Sequence, residues 1–382
     1  MKHWDVIVIG AGIIGLSLAI DLNKRGLKVL VVEKSEPGRE ASWAAGGMLA
    51  PLEVPQALRE LASASAKMYP EFVHEMEDES RLKIDLRDQG ALIFSREPSA
   101  RESVGLPDPA RSLEPAINGP GADGLSPCFW PERSVDPRHL TAAAIAAAKH
   151  RGIDFSSGDQ VAAIETADGK ATGVRTAKTR FAATLVVNCA GAWAGKIGES
   201  QSGAWASSSA FPTLVEQVIP TRPVKGQMLY VAMAEKDLLR HVIRTPKVYL
   251  VPRSDGRLLI GTTHEEAGFD KRTVPETIQK LYQAALKLVP KLAEARILEA
   301  WAGLRPGTPD NLPILGPTAT PGYFVATGHF RDGILLAPVT ALVMGQLIAG
   351  ERPGFDLHPF ELGRFSNLDR SLITPQRRSS PS

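Results

Sequence analysis

A chain of 382 residues is longer than one hydrophobic core usually organises, so two domains are expected. Hydrophobic residues make up 43% and charged residues 23%, which fits a soluble globular protein and excludes a disordered or fibrous one. Lys and Arg total 44 against 42 Asp and Glu, and a net charge of +2 gives no electrostatic footprint for nucleic acid. Two cysteines, Cys128 and Cys189, have neither metal-ligand nor redox spacing, so no metal site and a reducing, cytoplasmic setting are expected.

The first predicted element is a strand, Asp5 to Ile9 (DVIVI), running into GAGIIG. A helix from Ile13 to Arg25 follows and stops at Gly26, a suitable left-handed C′ residue. LKVLVVEK is then an uninterrupted apolar strand of the kind buried on both faces of a parallel sheet, completing a βαβ unit. Val6 to Ile20 is apolar, but glycines punctuate it and it is shorter than the roughly 20 residues of a spanning helix. Gly333 to Gly350 lacks charges but carries Pro338, Thr340 and Gln346, and reads as a buried helix. No membrane association and no targeting peptide are expected.

Residues 53 to 133 mix a helical stretch, Pro55 to Glu77, with strand-like GALIFS. In SVDPRHLTAAAIAAAKHRG, Asp136 is a good N-cap, Pro137 fits the first helical turn and Gly152 ends the helix. Short alternating runs around an Asp168-Gly169 turn predict a meander that finishes in a buried strand, TLVVNCAG. Residues 199 to 213 read as a flexible loop. KGQMLYVAM, KVYLVPR and RLLIGTT read as strands, and Pro275 to Leu288 as an amphipathic helix. WAGLRPGTPDNLPILG leads into the strand GYFVATG and the long apolar helix, and the tail RRSSPS reads as disordered.

The expected fold class is therefore α/β: a Rossmann-type nucleotide domain, with a parallel sheet plus a β-meander, and an inserted α+β substrate domain on a mainly antiparallel sheet. The first would take residues 1–52, 134–198 and 313–365, and the second 53–133 and 199–312, with 366–382 a tail.

GAGIIG fits GxGxxG at Gly10, Gly12 and Gly15, and its context supplies a strand before, a helix after and an acid on the second strand. Gly10 permits the tight turn, Gly12 lets the backbone reach a pyrophosphate, and Gly15 lets helix and strand pack closely. The helix N-terminus offers partial positive charge to the phosphates. Glu33 lies where a carboxylate accepts hydrogen bonds from ribose hydroxyls, which disfavours a 2′-phosphate. The fingerprint alone does not choose between NAD and FAD. Arg305, inside the apolar run WAGLRPGTPD, must pair or reach water, because an unpaired buried charge costs several kcal/mol. Its planar fork suits a carboxylate, either of a ligand or of an internal Asp or Glu.

EASWAAGGMLAP (40–51), NCAGAWAG (188–195) and GHFRDGILLAP (328–338) resemble, in order, flavin-contacting segments of the D-amino-acid oxidase and glycine oxidase family. With VDPRHL, PVKGQML, YLVPR and WAGLRPGTPD the resemblance covers nearly the whole chain, and it is nearest the glycine oxidase branch linked to thiamine biosynthesis. It implies FAD, bound without a covalent link, since neither cysteine lies in GHFRDG and no His-linked attachment motif is evident. The implied cofactor-binding residues are Gly10, Gly12, Ile13, Ile14 and Gly15; Glu33 and Lys34; Ser42, Ala45, Gly46, Gly47 and Met48; Val161; Ala190, Gly191 and Trp193; and Gly328, His329, Arg331, Asp332, Gly333 and Ile334.

The resemblance also makes Arg305 the clamp for an amino-acid carboxylate, with Tyr249 touching the same group and Arg331 lining the pocket. His264 stands where the glycine oxidase pattern carries methionine. The implied reaction passes a hydride from the substrate's Cα to the flavin, giving an imine that hydrolyses to an oxo acid and ammonia. Dioxygen would recover the electrons as hydrogen peroxide. Alternatives are a sarcosine-like N-methyl amino-acid oxidase or a D-amino-acid dehydrogenase on the same fold, or a non-catalytic dinucleotide-binding protein. Family members are commonly oligomers, so a homo-oligomer is consistent with the resemblance.

Overall fold

The opening sequence forms the expected βαβ unit: strand His3–Ile9, helix Ile13–Lys24 and strand Val29–Glu33, with the two strands parallel. In this computed structural model, residues 2–95, 112–117, 125–201 and 218–366 are described. The apolar run of the second strand is buried on both faces, as its composition predicts. Val29 and Val31 pack toward the helices, while Leu30 and Val32 join the core on the other side.

Five strands lie parallel, in the order Asp154–Ser157, Val29–Glu33, His3–Ile9, Arg180–Asn188 and Tyr323–Thr327. Arg180–Asn188 divides one edge between two partners. Its first residues pair antiparallel with Lys170–Thr176, and its last pair parallel with Tyr323–Thr327. The meander is completed by Val161–Ala167, whose turn places Asp168 at φ 50 and Gly169 at φ 73. Ile314–Pro317 flanks the other end, pairing antiparallel with Tyr323–Thr327. The loop expected from residue 199 is corrected at its start: Gly198–Gln201 is a strand parallel to Val161–Ala167, and residues 202–213 lie outside the described set. The expected tail lies outside it too, apart from Ser366.

A second sheet of seven strands runs Arg296–Gly307, Arg222–Ala232, Arg257–Gly261, Tyr249–Pro252, Val242–Arg244, Ala91–Ser95 and Ser126–Trp130. Only the contact of Val242–Arg244 with Ala91–Ser95 is parallel. A small third sheet, Met48–Leu49, Arg133–Val135 and Leu86–Arg87, lies between the stretches that supply the other two. The fold is thus α/β, with a Rossmann-type sheet beside a mainly antiparallel one.

Helix Pro137–His150 begins as its sequence predicts, the Asp136 carboxylate accepting a hydrogen bond from the Arg138 amide. The terminal helix Gly333–Ile348 is buried over most of its first three turns and packs against helices Ile13–Lys24 and Arg59–Ser80. Pro338 has no N–H, so the carbonyl of Ile334 lacks its usual helical partner. The buried Tyr69 hydroxyl donates to that carbonyl at 2.5 Å, and the Ser65 hydroxyl donates to Leu335 O at 2.6 Å. Two hydrogen bonds from Arg59–Ser80 therefore fix the first turn of this helix, the turn that faces the site described below. Among the described residues no helix is long and apolar enough to cross a membrane.

Candidate active site

The motif segments meet around one cavity of about 610 Å³, within the range of roughly 300–1,000 Å³ usual for small-molecule sites. Of the residues singled out in the sequence, Gly10, Gly12, Ile13, Ile14, Glu33, Lys34, Ser42, Ala45, Gly46, Gly47, Met48, Val161, Ala190, Gly191 and Trp193 line it. So do His329, Arg331, Asp332, Gly333 and Ile334, together with Tyr249, Arg305 and His264. Gly15 and Gly328 are not among the lining residues. A Cβ at Gly15 would strike the Gly10 carbonyl, so this glycine serves helix–strand packing. Gly328 has φ +76, and a Cβ there would stand 2.5 Å from Thr308 Cγ2, so it serves the turn.

At one end the GAGIIG turn is held by side chains. Gly10 has φ +100, and any Cβ would come 2.7 Å from the Cys189 carbonyl. Glu33 Oε2 accepts from the Ala11 amide at 2.9 Å, and Oε1 accepts from the Ser35 amide at 3.0 Å. Ser42 Oγ accepts from the Ile13 amide at 2.9 Å. Glu33 and Ser42 therefore shape the turn as well as lining the cavity, a role their residue types do not reveal in sequence. Beside them the Lys34 ammonium lies 3.2 Å from the Trp193 ring centroid.

In the middle, Gly47 has φ +75, and a Cβ there would meet the Val135 carbonyl. Arg253, fully buried, fastens this loop: Nη2 donates to Gly46 O at 2.7 Å, Nη1 to Val135 O at 2.9 Å, and Nε to the Tyr230 hydroxyl at 3.3 Å. The small residues and the Arg253 bracket leave a cradle that side chains would fill. Opposite, helix Gly333–Ile348 presents its N-terminus, whose partial positive charge suits a group that gains negative charge. Burial raises the Asp332 carboxyl to about 6, opposed by Arg331 and reinforced by Glu53. Burial lowers His329 to about 3, and its Nε2 is 3.1 Å from Thr340 Oγ1, which makes it a neutral packing residue at the cavity wall. A turn shaped for a pyrophosphate, an acid on the second strand, a small-residue cradle and a helix N-terminus are together a donor set that fits FAD.

At the other end, Arg305 lies on strand Arg296–Gly307 opposite Val224. Its Nη2 donates to Thr262 Oγ1 at 2.9 Å and its Nη1 to Thr263 O at 3.2 Å. No described carboxylate is within 4.0 Å of the guanidinium, so among the described residues the internal ion pair that the sequence left open is not made. Burial works against its charge and Arg331 adds repulsion, while Tyr249 and Glu265 act the other way. Tyr249 packs against Gly261 and Gly46, and its hydroxyl donates to Met228 Sδ at 3.4 Å. Burial pushes the Tyr249 phenol up, and Arg305 pulls it back. Arg331 is exposed at the rim, and His264 stands edge-to-face with Phe330 at 5.9 Å.

Sequence reasoning missed Gly226, Thr262, Thr263 and Arg253 as members of this site. Only Gly226 carried a signal, because a glycine inside a strand marks a close approach of other atoms.

A model of the DAO family, described as FAD dependent oxidoreductase, matches residues 5–347. The chain is 34% identical over 378 residues to the "Bifunctional protein ThiO/ThiG" of Trichormus variabilis, covering 94% of this chain but only 55% of that protein, so it spans about half the length of that relative. It is 31% identical over 421 residues to the "Hydrogen cyanide synthase subunit HcnC" of Pseudomonas protegens, covering 96% of this chain and 97% of the relative. The crystal structure of glycine oxidase from Geobacillus kaustophilus superposes with a TM-score of 0.81 at 30% identity, over 95% of this chain and 99% of the other.

Proposed function

The chain belongs to the DAO family of FAD-dependent oxidoreductases and is an amino-acid oxidase of the glycine oxidase type, and we propose that it oxidatively deaminates glycine and other small amino acids or amines. The observation that carries this reading is Arg305: a largely desolvated guanidinium facing the cavity with no carboxylate of the described chain against it. Two of its donors are held by Thr262 and Thr263, which fixes the plane of the fork. A substrate carboxylate satisfies its charge and its geometry together.

In this reading residues 1–52, 134–198 and 313–365 carry the cofactor, and 53–133 with 199–312 carry the substrate. Tyr249 adds a hydroxyl beside the carboxylate, and Arg331 adds positive potential at the rim. The amides at the start of helix Gly333–Ile348 would hold the part of the flavin on which reduction builds negative charge. When bound, FAD would accept the two electrons of the substrate's Cα–H bond as hydride, the nitrogen lone pair closing the C=N bond of the imine. The protein's own contribution is orientation: with the carboxylate fixed, the Cα–H has one face to present. No acid–base residue is assigned; the substrate ammonium must first lose a proton to solvent so that the nitrogen lone pair can push the hydride from Cα. The imine product hydrolyses in water to an oxo acid and ammonia, and dioxygen yields hydrogen peroxide.

The alternative of a D-amino-acid dehydrogenase on the same fold is the same amine oxidation with electrons passed to an acceptor other than dioxygen. Purified protein incubated aerobically with glycine, sarcosine and D-alanine decides between them. Peroxide in step with ammonia supports the oxidase, and anaerobic bleaching without aerobic peroxide supports the dehydrogenase. No bleaching by any of the three contradicts both.

A further inference from the structure

The connection from strand Arg257–Gly261 to helix Pro275–Leu288 does more than join them. Its first residues, Thr262 and Thr263, hold Arg305. Its middle is pinned to the second sheet by Glu265, which exchanges backbone hydrogen bonds with Lys225, both of 2.9 Å. Its last part crosses to the far rim of the cavity. There the Phe269 ring lies 5.1 Å from the Trp193 ring, and the Lys196 ammonium lies 3.8 Å from the Phe269 centroid. Lys271 reaches Glu40 at 3.1 Å, and Glu40 is also held by Lys34 at 2.9 Å. Lys34 in turn lies over Trp193, so the aromatic pair and the ion-pair chain close on each other.

The two partners of this contact differ in one respect. Trp193, Lys34 and Glu40 line the cavity, whereas Phe269 and Lys271 do not. Phe269 and Lys271 therefore act on a bound molecule only through the residues they touch. We propose that Phe269 and Lys271 are positioning residues for the cofactor, fastening Trp193 and the Lys34–Glu40 pair over the nucleotide end and slowing FAD release. This rests on the placement of FAD proposed above. An isolated exposed ion pair contributes little, but Glu40 shared by two lysines, one of them over an aromatic ring, is a network. With Phe269 gone, Trp193 loses its outer packing partner and the rim opens more often.

The test is the rate of FAD release from the holoenzyme after dilution, followed by flavin fluorescence and by flavin retained on ultrafiltration. Phe269→Ala and Lys271→Ala are each expected to speed release by about two- to tenfold. Phe269→Tyr and Lys271→Arg should restore the wild-type rate. At about 1 M salt the Lys271→Ala effect should shrink, while that of Phe269→Ala persists. Release at the wild-type rate from both alanine variants, even with a lowered melting temperature, overturns the inference and leaves the cofactor site standing. A wild-type protein that takes up no FAD overturns the placement of the cofactor, and this inference with it.

Discussion

A Cβ atom on Gly226 would stand 2.5 Å from Nη1 of Arg305 and 2.7 Å from its Cζ, so the guanidinium occupies space that glycine alone leaves on the neighbouring strand. Gly226 pairs with Gly303, two residues along from the Val224–Arg305 pair, which makes the contact a diagonal one. Gly226→Ala should therefore displace the fork without adding charge. The expected result is a KM for glycine raised roughly tenfold or more, since a misplaced charge-assisted pair loses about 1.5–3 kcal/mol. Steady-state kinetics with FAD content measured in parallel check this, and FAD content should be unchanged.

Tyr69 stands in for the amide that Pro338 lacks, donating to Ile334 O inside the core. Tyr69→Phe keeps the ring and leaves a buried carbonyl unsatisfied, at a cost of about 1–3 kcal/mol. Thermal denaturation of the holoenzyme should show a lowered melting temperature. An unchanged melting temperature would mean that the carbonyl finds another partner.

Asp332 gives a pH dependence with a definite sign. Burial raises its carboxyl from the ordinary 3.8 to about 6, so between those values the folded state holds a proton that the unfolded state has lost. Its contribution to stability is complete below pH 3.8 and falls as pH rises through 6, after which a constant penalty remains. Asp332→Asn removes a titrating group and is expected to raise the melting temperature at pH 7–8 relative to wild type. That advantage should vanish near pH 4. A difference in melting temperature that does not change with pH would count against it.

The flavin should be held without a covalent bond. Cys189 lines the cavity, but its thiol is buried and burial pushes it far above the ordinary range, which removes the thiolate needed for attack. Cys128 lies on strand Ser126–Trp130, away from the cavity lining. Acid precipitation should leave the yellow colour in the supernatant, and a yellow pellet would contradict this.

What the sequence made legible was local. The βαβ unit, the Asp136 cap and the strand-then-helix run into Gly333 each follow from neighbours in the chain, through period, propensity and capping. The cavity-lining segments were legible as motifs because each is contiguous. What stayed hidden acts across distance: Ser42 on Ile13 spans 29 residues, Arg253 on Gly46 spans 207, and the space Gly226 leaves for Arg305 depends on the pairing of strands. Gly15 serves the helix–strand packing that its place in the motif implies and Gly328 serves the turn before the helix, and neither is among the cavity-lining residues. Residues 199–201 read as loop because ESQ carries no β signal of its own, and the neighbouring strand Val161–Ala167 supplies the edge that orders them as part of strand Gly198–Gln201.

The most direct test of the account is anaerobic mixing of glycine with the FAD-loaded protein, comparing wild type with Arg305→Ala by the loss of visible flavin absorbance. Wild type should bleach, and Arg305→Ala should carry the same flavin but bleach with a kcat/KM-equivalent rate about a hundredfold lower, the loss expected for a bidentate pair worth about 3 kcal/mol. Equal bleaching of the two proteins at low glycine would remove Arg305 from the substrate and contradict the account at its centre.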